Sequence, residues 1–292
     1  MPANFPRLLV ATEFSPNASG GGPAVVRQML RDWPVEKLFW WSCLPETDQR
    51  FGQKVTSQAV ARIPAKLYPH QRWCAQKAWL LEQFWAPRAA RDFQRVLAAW
   101  QPEVVWVIPH AWVIPVLARA LPRARIGFHV SVHDYPDTHS DRIRLGLARS
   151  FRMAAMCDRL YASATTRDAI CQPMVEDLRQ RTGCDGRVTR AGLEPEDFDG
   201  LAAAAPPASE SIRIAYAGTI IAEREFALFA RALGQIRQRL PAPLWLDFFG
   251  AHSYRSREWF EADWMREHGL LSAPELAVEL RKCTWGFSPM AP

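Results

Sequence analysis

Short apolar runs alternate along this chain with stretches whose apolar residues recur at helical spacing. "LLVAT" (8–12), "KLFWWSC" (37–43), "EVVWVI" (103–108), "ARIGFHV" (124–130) and "RLYAS" (159–163) read as buried strands. Helical patterns run from near Pro23 to Arg31, from Gln71 to Ala99 with an interruption near Pro87, from Ala111 to Leu121, from Ile143 to Met156, and from Thr165 to Arg181 with a break at Pro173. Residues 52–70 read as irregular or short-helical. "RVTRAG" (187–192) closes this half, and "DFDGLAAAAPPASES" (197–211), small and proline-bearing with no core pattern, reads as an interdomain linker. The alternation then restarts. "IRIAYAG" (212–218), "PLWLDFFG" (243–250) and "TWGFSP" (284–289) read as strands; Phe226–Leu240, Arg255–Glu267 and Ala273–Arg281 read as helices, the last entered at Pro274. The pattern predicts an α/β protein with parallel sheets: a first domain over 1–198, a linker over 199–211, and a second domain over 212–292. With about three strands, that second domain is expected to be incomplete, because a doubly wound domain generally uses five or six.

Composition narrows the class. The chain has 292 residues and is 49% apolar, enough for two packed cores. It holds no run of about 18 uncharged apolar residues, so no membrane-spanning helix is expected, and "MPANFPRLLVATEF" lacks the basic region of a signal peptide. Six cysteines stand at 43, 74, 157, 171, 184 and 283 without C-x-x-C or zinc spacing, which reads as reduced core thiols in a cytoplasmic protein. The net charge is +6, and part of it is local. Between Arg62 and Arg95 seven basic residues face two acids, Glu82 and Asp92, with Trp73, Trp79, Phe84 and Trp85 interleaved. Two readings are open: a basic, Trp-bearing helix lying on the inner, anionic face of a membrane, or a long helix with its tryptophans buried and its basic face solvated. No signature of a nucleic-acid-binding module is present, and nucleic acid is not an expected partner.

Four places carry chemistry. Gly20-Gly21-Gly22 follow the first strand and precede the first helix, where free N–H groups and the helix dipole favour an anion. Their spacing differs from the dinucleotide fingerprint G-x-G-x-x-G and from the P-loop, so a nicotinamide-dependent oxidoreductase is disfavoured, while a plain turn and a ligand loop both stay open. In "FHVSVHDYPDTH" (128–139), His129, His133, Asp134, Asp137 and His139 crowd the end of a strand. Ligands of open α/β sheets bind at strand carboxyl ends, so His133 and Asp134 point to a cleft; a metal site and a polar surface loop are the alternatives. "RAGLEPEDF" sets Gly192, Glu194 and Phe198 at a strand exit. "AYAGTIIAERE" sets Gly218 at another, followed by Arg224 at a helix entry, where a cation could hold a diphosphate.

Taken in order, these pieces resemble retaining glycosyltransferases of family 4, the two-Rossmann-domain (GT-B) type. "EFSPNASGGG", "VVWVIPHAWVIPVLARAL", "ARIGFHVSVHDYPD" and "CDRLYASATTRDAI" are similar to successive pieces of the family's first domain, and "RAGLEPEDF" to its N-G-V-D-x-x-x-F. "IRIAYAGTIIAEREFALFARAL", "DFFGAH" and "REHGLLSAPELAVELRKCTWGFSPM" resemble the opening and later strands of its second. The chain also departs from the family. Thr219 follows Gly218 where the family has Arg, Arg224 stands where it has Lys, and Ala191 replaces the Asn of N-G. The family's E-x7-E element would follow "GFSPM", where the sequence stops. Glu267 and Glu275 are eight apart but precede the last strand, with Gly269 and Pro274 between them, and are not that element.

The resemblance implies transfer of a sugar, with retained configuration, from a nucleotide diphosphate sugar to a sugar, lipid-linked or small-molecule acceptor, with neither metal nor cofactor. It implies that His133 lies near the reacting sugar with Asp134 fixing its loop, that Arg224 pairs with the diphosphate, and that His110 lines the acceptor side. Gly20, Gly21, Gly22, Gly192, Glu194, Gly218, Thr219 and Gly250 are the remaining donor- or acceptor-binding candidates. A glycosyltransferase-like chain that binds a nucleotide or a partner without turnover is the other reading.

Overall fold

The structure, a computed structural model, describes residues 5–18, 20–44, 55, 57–67, 72–136, 145–190, 192 and 211–287. The chain forms two compact units, Met1–Gly192 and Leu193–Pro292. Of the linker expected at 199–211, all but Ser211 lies outside the described residues.

The first unit is built on a seven-stranded sheet. Its strands are β1 (Leu8–Thr12), β2 (Leu38–Ser42), β3 (Ser57–Val60), β4 (Val104–Val107), β5 (Phe128–Val132), β6 (Thr166–Ala169) and β7 (Arg187–Val188), in the order β3-β2-β1-β4-β5-β6-β7. Every pairing is parallel. The order reverses beside β1, which makes β1/β4 the topological switch point of a doubly wound sheet. The helices are α1 (Gly21–Met29), α2 (Cys74–Leu80), α3 (Ala86–Trp100), α4 (Val113–Ala120), α5 (Leu147–Ser163) and α6 (Gln172–Thr182). All five residues of β1 are buried because both faces of the sheet are covered. Leu9 and Ala11 pack with Trp41, Phe93 and Leu117; Leu8 and Val10 pack on the other face with Val26, Leu30, Trp40 and Trp106. The period-2 alternation of the strand thus splits its side chains between two cores.

Several elements differ from the sequence reading. "RLYAS" is the end of α5 and not a strand: buried Met153, Met156, Cys157, Leu160 and Tyr161 keep the helical period to Tyr161. The next strand is the polar "TRDA", hidden from a hydrophobicity reading because its buried Asp168 is satisfied by His129. Pro173 therefore starts α6 and does not break it, as suits a residue without an N–H. Residues 57–60, expected as irregular, form the half-exposed edge strand β3. The interruption expected near Pro87 is a π turn at Leu81–Trp85 that leaves α2 and α3 as one rod. Of the tryptophans expected on a buried face, Trp85 is buried, while Trp73 and Trp79 are exposed. Of the cysteines, all unpaired, only Cys43 and Cys157 are core residues; the other four are partly exposed.

The second unit has four strands where about three were expected: β8 (Ile212–Ala217), β9 (Leu244–Phe249), β10 (Met265–Gly269) and β11 (Trp285–Gly286), parallel in the order β10-β9-β8-β11. Its helices are α7 (Glu223–Ile236) and α8 (Ala273–Leu280). The expected helix 255–267 is a chain of turns followed by β10, because Trp259, Trp264 and Met265 dive into the core instead of repeating at helical spacing. Phe226, fully buried, meets the rings of Tyr216, Phe229, Phe248, Trp259 and Phe287. Ser272 and Glu275 form a capping box at α8, and Glu267 holds Ser253 and Arg255. Both glutamates therefore have local structural work.

Candidate functional site

The carboxyl ends of β1, β4 and β5 lie side by side at the switch point, and each is followed by a polar residue: Glu13, His110 and His133. Glu13 is buried at the end of an apolar strand. Its carbonyl accepts hydrogen bonds from Cys43 N (3.1 Å) and Leu44 N (2.8 Å), which ties the exit of β2 to that of β1. Its carboxylate lies 2.8 Å from His110 Nδ1, and Trp112 N approaches the other oxygen at 3.5 Å. Between these partners Ala111 adopts φ 39, a left-handed conformation uncommon for a residue with a Cβ, and this turn directs both groups at Glu13. The carboxylate is 6% exposed and the imidazole 52%. Glu13 is thus an internal anchor that orients the His110 ring through Nδ1. The burial of Cys43 and the neighbouring charge of Glu13 raise its thiol pKa well above the ordinary range.

His133 is half-buried just past β5, and Asp134 beside it is exposed. Burial lowers the pKa of His133; the carboxylates of Asp168 and Asp134 oppose this, and His110 reinforces it. The two histidines are therefore close enough to disfavour both being charged. His129, which the sequence sets in the same cluster at the strand end, is a strand residue: Nδ1 lies 2.8 Å from Thr166 Oγ1, and Nε2 lies 3.0 Å from Asp168 and 3.1 Å from Ser131 Oγ. Asp137 and His139 lie outside the described residues.

The glycine loop is held in place. Arg27 Nη1 donates to Pro16 O (3.1 Å) and Ala18 O (2.8 Å), and Trp40 Nε1 donates to Thr12 Oγ1 (2.9 Å) and Phe14 O (3.1 Å). Gly20, at φ 117, caps α1, and Gly21 and Gly22 form its first turn, two residues earlier than the sequence pattern suggests. All three are exposed, and a Cβ on Gly21 would meet nothing within 4 Å. Gln28 Nε2 hydrogen-bonds Gly192 O, which draws the exit of β7 against the same helix. Glu194 lies outside the described residues.

In the second unit the carboxyl edge is made of backbone. Gly218, Gly250 and Gly269 stand at the exits of β8, β9 and β10, linked by Gly218 N to Phe249 O (2.8 Å) and Gly250 N to Gly269 O (2.9 Å). A Cβ on Gly250 would lie 2.5 Å from Gly218 O, so only glycine fits there. Thr219 is exposed, and its carbonyl accepts from Tyr216 Oη at 2.8 Å. Arg224 is exposed in the first turn of α7, while its neighbour Glu223 pairs with Arg257 at 3.2 Å. Below this edge, fully buried Asp247 on β9 binds Arg213 Nε of β8 (2.8 Å) and His268 Nε2 of β10 (2.6 Å), clamping three strands.

Sequence reasoning thus brings His110, His133 and Asp134 to one edge of the first unit, with the glycine loop at the same edge, and Gly218, Thr219, Gly250 and Arg224 to one edge of the second. It missed Glu13. The signal was present: an acid placed directly after an apolar strand and before a glycine loop.

No protein-family model matches the chain, and no curated protein matches it in sequence. Solved structures do match it in fold. A sucrose-phosphate synthase from Thermosynechococcus elongatus is 13% identical with a TM-score of 0.64, over 98% of this chain and 77% of that one. An α,α-trehalose-phosphate synthase (UDP-forming) from Burkholderia xenovorans, in complex with glucose-6-phosphate, is 13% identical with a TM-score of 0.61, over 96% of this chain and 79% of that one. An E. coli trehalose-6-phosphate structure bound with UDP-2-fluoro glucose is 12% identical with a TM-score of 0.60, over 96% and 77%. The chain therefore has the two-Rossmann-domain, GT-B fold of these proteins.

Proposed function

We propose that this protein is a glycosyltransferase that moves a sugar from a nucleotide diphosphate sugar to an acceptor hydroxyl with retention. The observation that carries the reading is the Glu13-anchored His110 beside a His133 held toward its neutral form, at the switch point of a fold whose similar structures include UDP-forming synthases. In the reaction the bond from the anomeric carbon to the diphosphate oxygen breaks, the acceptor oxygen bonds that carbon on the same face, and the acceptor proton leaves with the diphosphate. Charge grows on the diphosphate, so preorganised donors there do most of the work. Arg224 and the backbone at Gly218, Thr219 and Gly250 meet the diphosphate. His133 donates a hydrogen bond to the reacting sugar, Asp134 orients its loop, and His110 receives the acceptor hydroxyl, with Gly20–Gly22 and Gly192 at its rim. The acceptor is a sugar, a sugar phosphate or a lipid-linked sugar. The six unpaired cysteines support a reducing, cytoplasmic setting; among the described residues no helix is long and apolar enough to cross a membrane.

The test is donor turnover by the purified chain across UDP-, ADP- and GDP-sugars. His133→Ala and Arg224→Ala are each expected to lower kcat/KM at least about tenfold, equivalent to roughly 1.4 kcal/mol. If both keep the wild-type value, the assignment is wrong. Thr219, in place of the family's arginine, favours a second reading, a nucleotide-binding module without turnover; tight nucleotide titration with no product under any donor would establish it.

A further inference from the structure

The first unit carries a surface that sugar transfer does not use. α2, the π turn and α3 form one rod over 74–100, roughly 40 Å long. The rod ends just before β4 starts at the amino edge, and β4 spans only about 13 Å. Its first turns therefore stand beyond the carboxyl edge, the edge that holds Glu13, His110 and His133. There Trp73, Trp79, Phe84 and Leu147 are exposed by 68%, 48%, 52% and 59%. Trp79 and Phe84 meet edge to face with ring centroids 5.9 Å apart. Trp79 and Leu147 line an apolar cavity of about 670 Å³ walled by Ala75, Leu80, Leu145 and Arg152. Trp73 is held at φ 63, a conformation rare for a bulky residue, with its indole in solvent.

Among the described residues, the exposed charge on the rod beside this cluster has one sign. Both acids between Arg62 and Arg95 are engaged within the fold: Glu82 is buried against Arg149 (3.5 Å) and Arg152 (3.2 Å), and Asp92 accepts from Trp41 Nε1 (3.3 Å). The exposed charges near the apolar cluster are basic, at Arg72 just before the rod and Arg88 on it, with Lys77 half-buried. A second copy docked face to face would set like charge on like charge. We propose that this surface binds an anionic phospholipid bilayer, with Trp73, Trp79, Phe84 and Leu147 at the headgroup–acyl boundary and Arg72, Lys77 and Arg88 on lipid phosphates.

Co-sedimentation of the full chain tests this, with phosphatidylcholine vesicles holding about one quarter phosphatidylglycerol against pure phosphatidylcholine. Binding at about 0.1 M salt is expected to be at least about tenfold tighter on the anionic vesicles and to fall sharply at about 0.5 M. Trp79→Ser with Leu147→Ser should lose at least about tenfold in binding while keeping circular dichroism and Tm. Arg72→Gln with Arg88→Gln should remove most of the preference for anionic vesicles. Absence of binding, equal binding to both vesicles, or wild-type binding by the Trp79/Leu147 variant overturns the proposal, as does a dimer that Trp79→Ser dissolves. If the double variant fails to fold, quenching of wild-type tryptophan emission by bromine-labelled anionic lipid decides: none overturns it. The outcome is separate from the transfer reading, since the Trp79/Leu147 variant should keep kcat/KM toward a water-soluble acceptor.

Discussion

The carboxyl edges of the two units present different chemistry. The carboxyl edge of the first presents side chains, a buried glutamate behind two histidines. That of the second presents main chain, glycines at the exits of three neighbouring strands with Arg224 exposed at the start of α7, over a buried Arg–Asp–His clamp. A side chain can be replaced while its support survives. A backbone edge is part of the sheet itself, so altering it alters the fold. Substitutions of the edge side chains in the first unit should therefore cost rate, and those of the backbone edge and its clamp in the second should cost stability.

The largest expected effect is in the second unit. Asp247→Ala leaves Arg213 and His268 facing an apolar strand and should destabilise the unit by about 3 kcal/mol, read as faster hydrogen exchange over 212–287 with 5–190 unchanged. Gly250→Ala pushes a Cβ against Gly218 O and should cost about 1–3 kcal/mol by the same measurement. Unchanged protection in both would show that the edge tolerates repair and would erase the contrast. In the first unit, Glu13→Gln keeps the shape but loses the charge that fixes His110. It should lower kcat/KM roughly tenfold, about 1.4 kcal/mol, with little change in donor KM. A fall in Tm with unchanged kcat/KM would make Glu13 structural only.

The smallest effect is in pH. His133 has a folded pKa below its unfolded value of about 6.5. The unfolded chain then takes up the proton first, so the stability this residue contributes is complete above about pH 6.5 and is lost as pH falls toward the folded pKa. Activity that needs the neutral ring should show an acid limb with a midpoint below that of an ordinary histidine. His133→Gln should remove the limb, and Asp168→Asn, by deleting a charge that raises the pKa, should move it lower still. A limb above about pH 6.5 would contradict the burial of this ring.

Much of this was legible in the sequence, for physical reasons. β1, β2 and β4 are central and parallel, so they appear as short apolar runs, and the loops after them must lie at one edge. β6 was not legible because its buried position is an aspartate whose partner sits 39 residues away on β5. The reading failed for β10 because turns bring two tryptophans inward with no period at all. His110 and His133 stand out in the sequence by their place after strands. Glu13 satisfied the same rule, but an acid beside three glycines draws less notice than the glycines. The constraint on Gly250 depends on the approach of a second strand and leaves no local trace.

The π turn at Leu81–Trp85 has a consequence for how this protein can vary. A regular helix advances about 100° per residue, and a π turn adds one residue to a single turn. Deleting one residue there would turn the π turn into an ordinary α turn and leave the upstream side chains in the directions they now take. Ala78 would stay in the core and Trp79 in solvent. A deletion in the regular turns of α3 would instead carry Lys77 into the core position of Ala78, and Ala78 into the exposed position of Trp79. The π turn is thus a place where the rod can lose a residue without changing which of its side chains meet water.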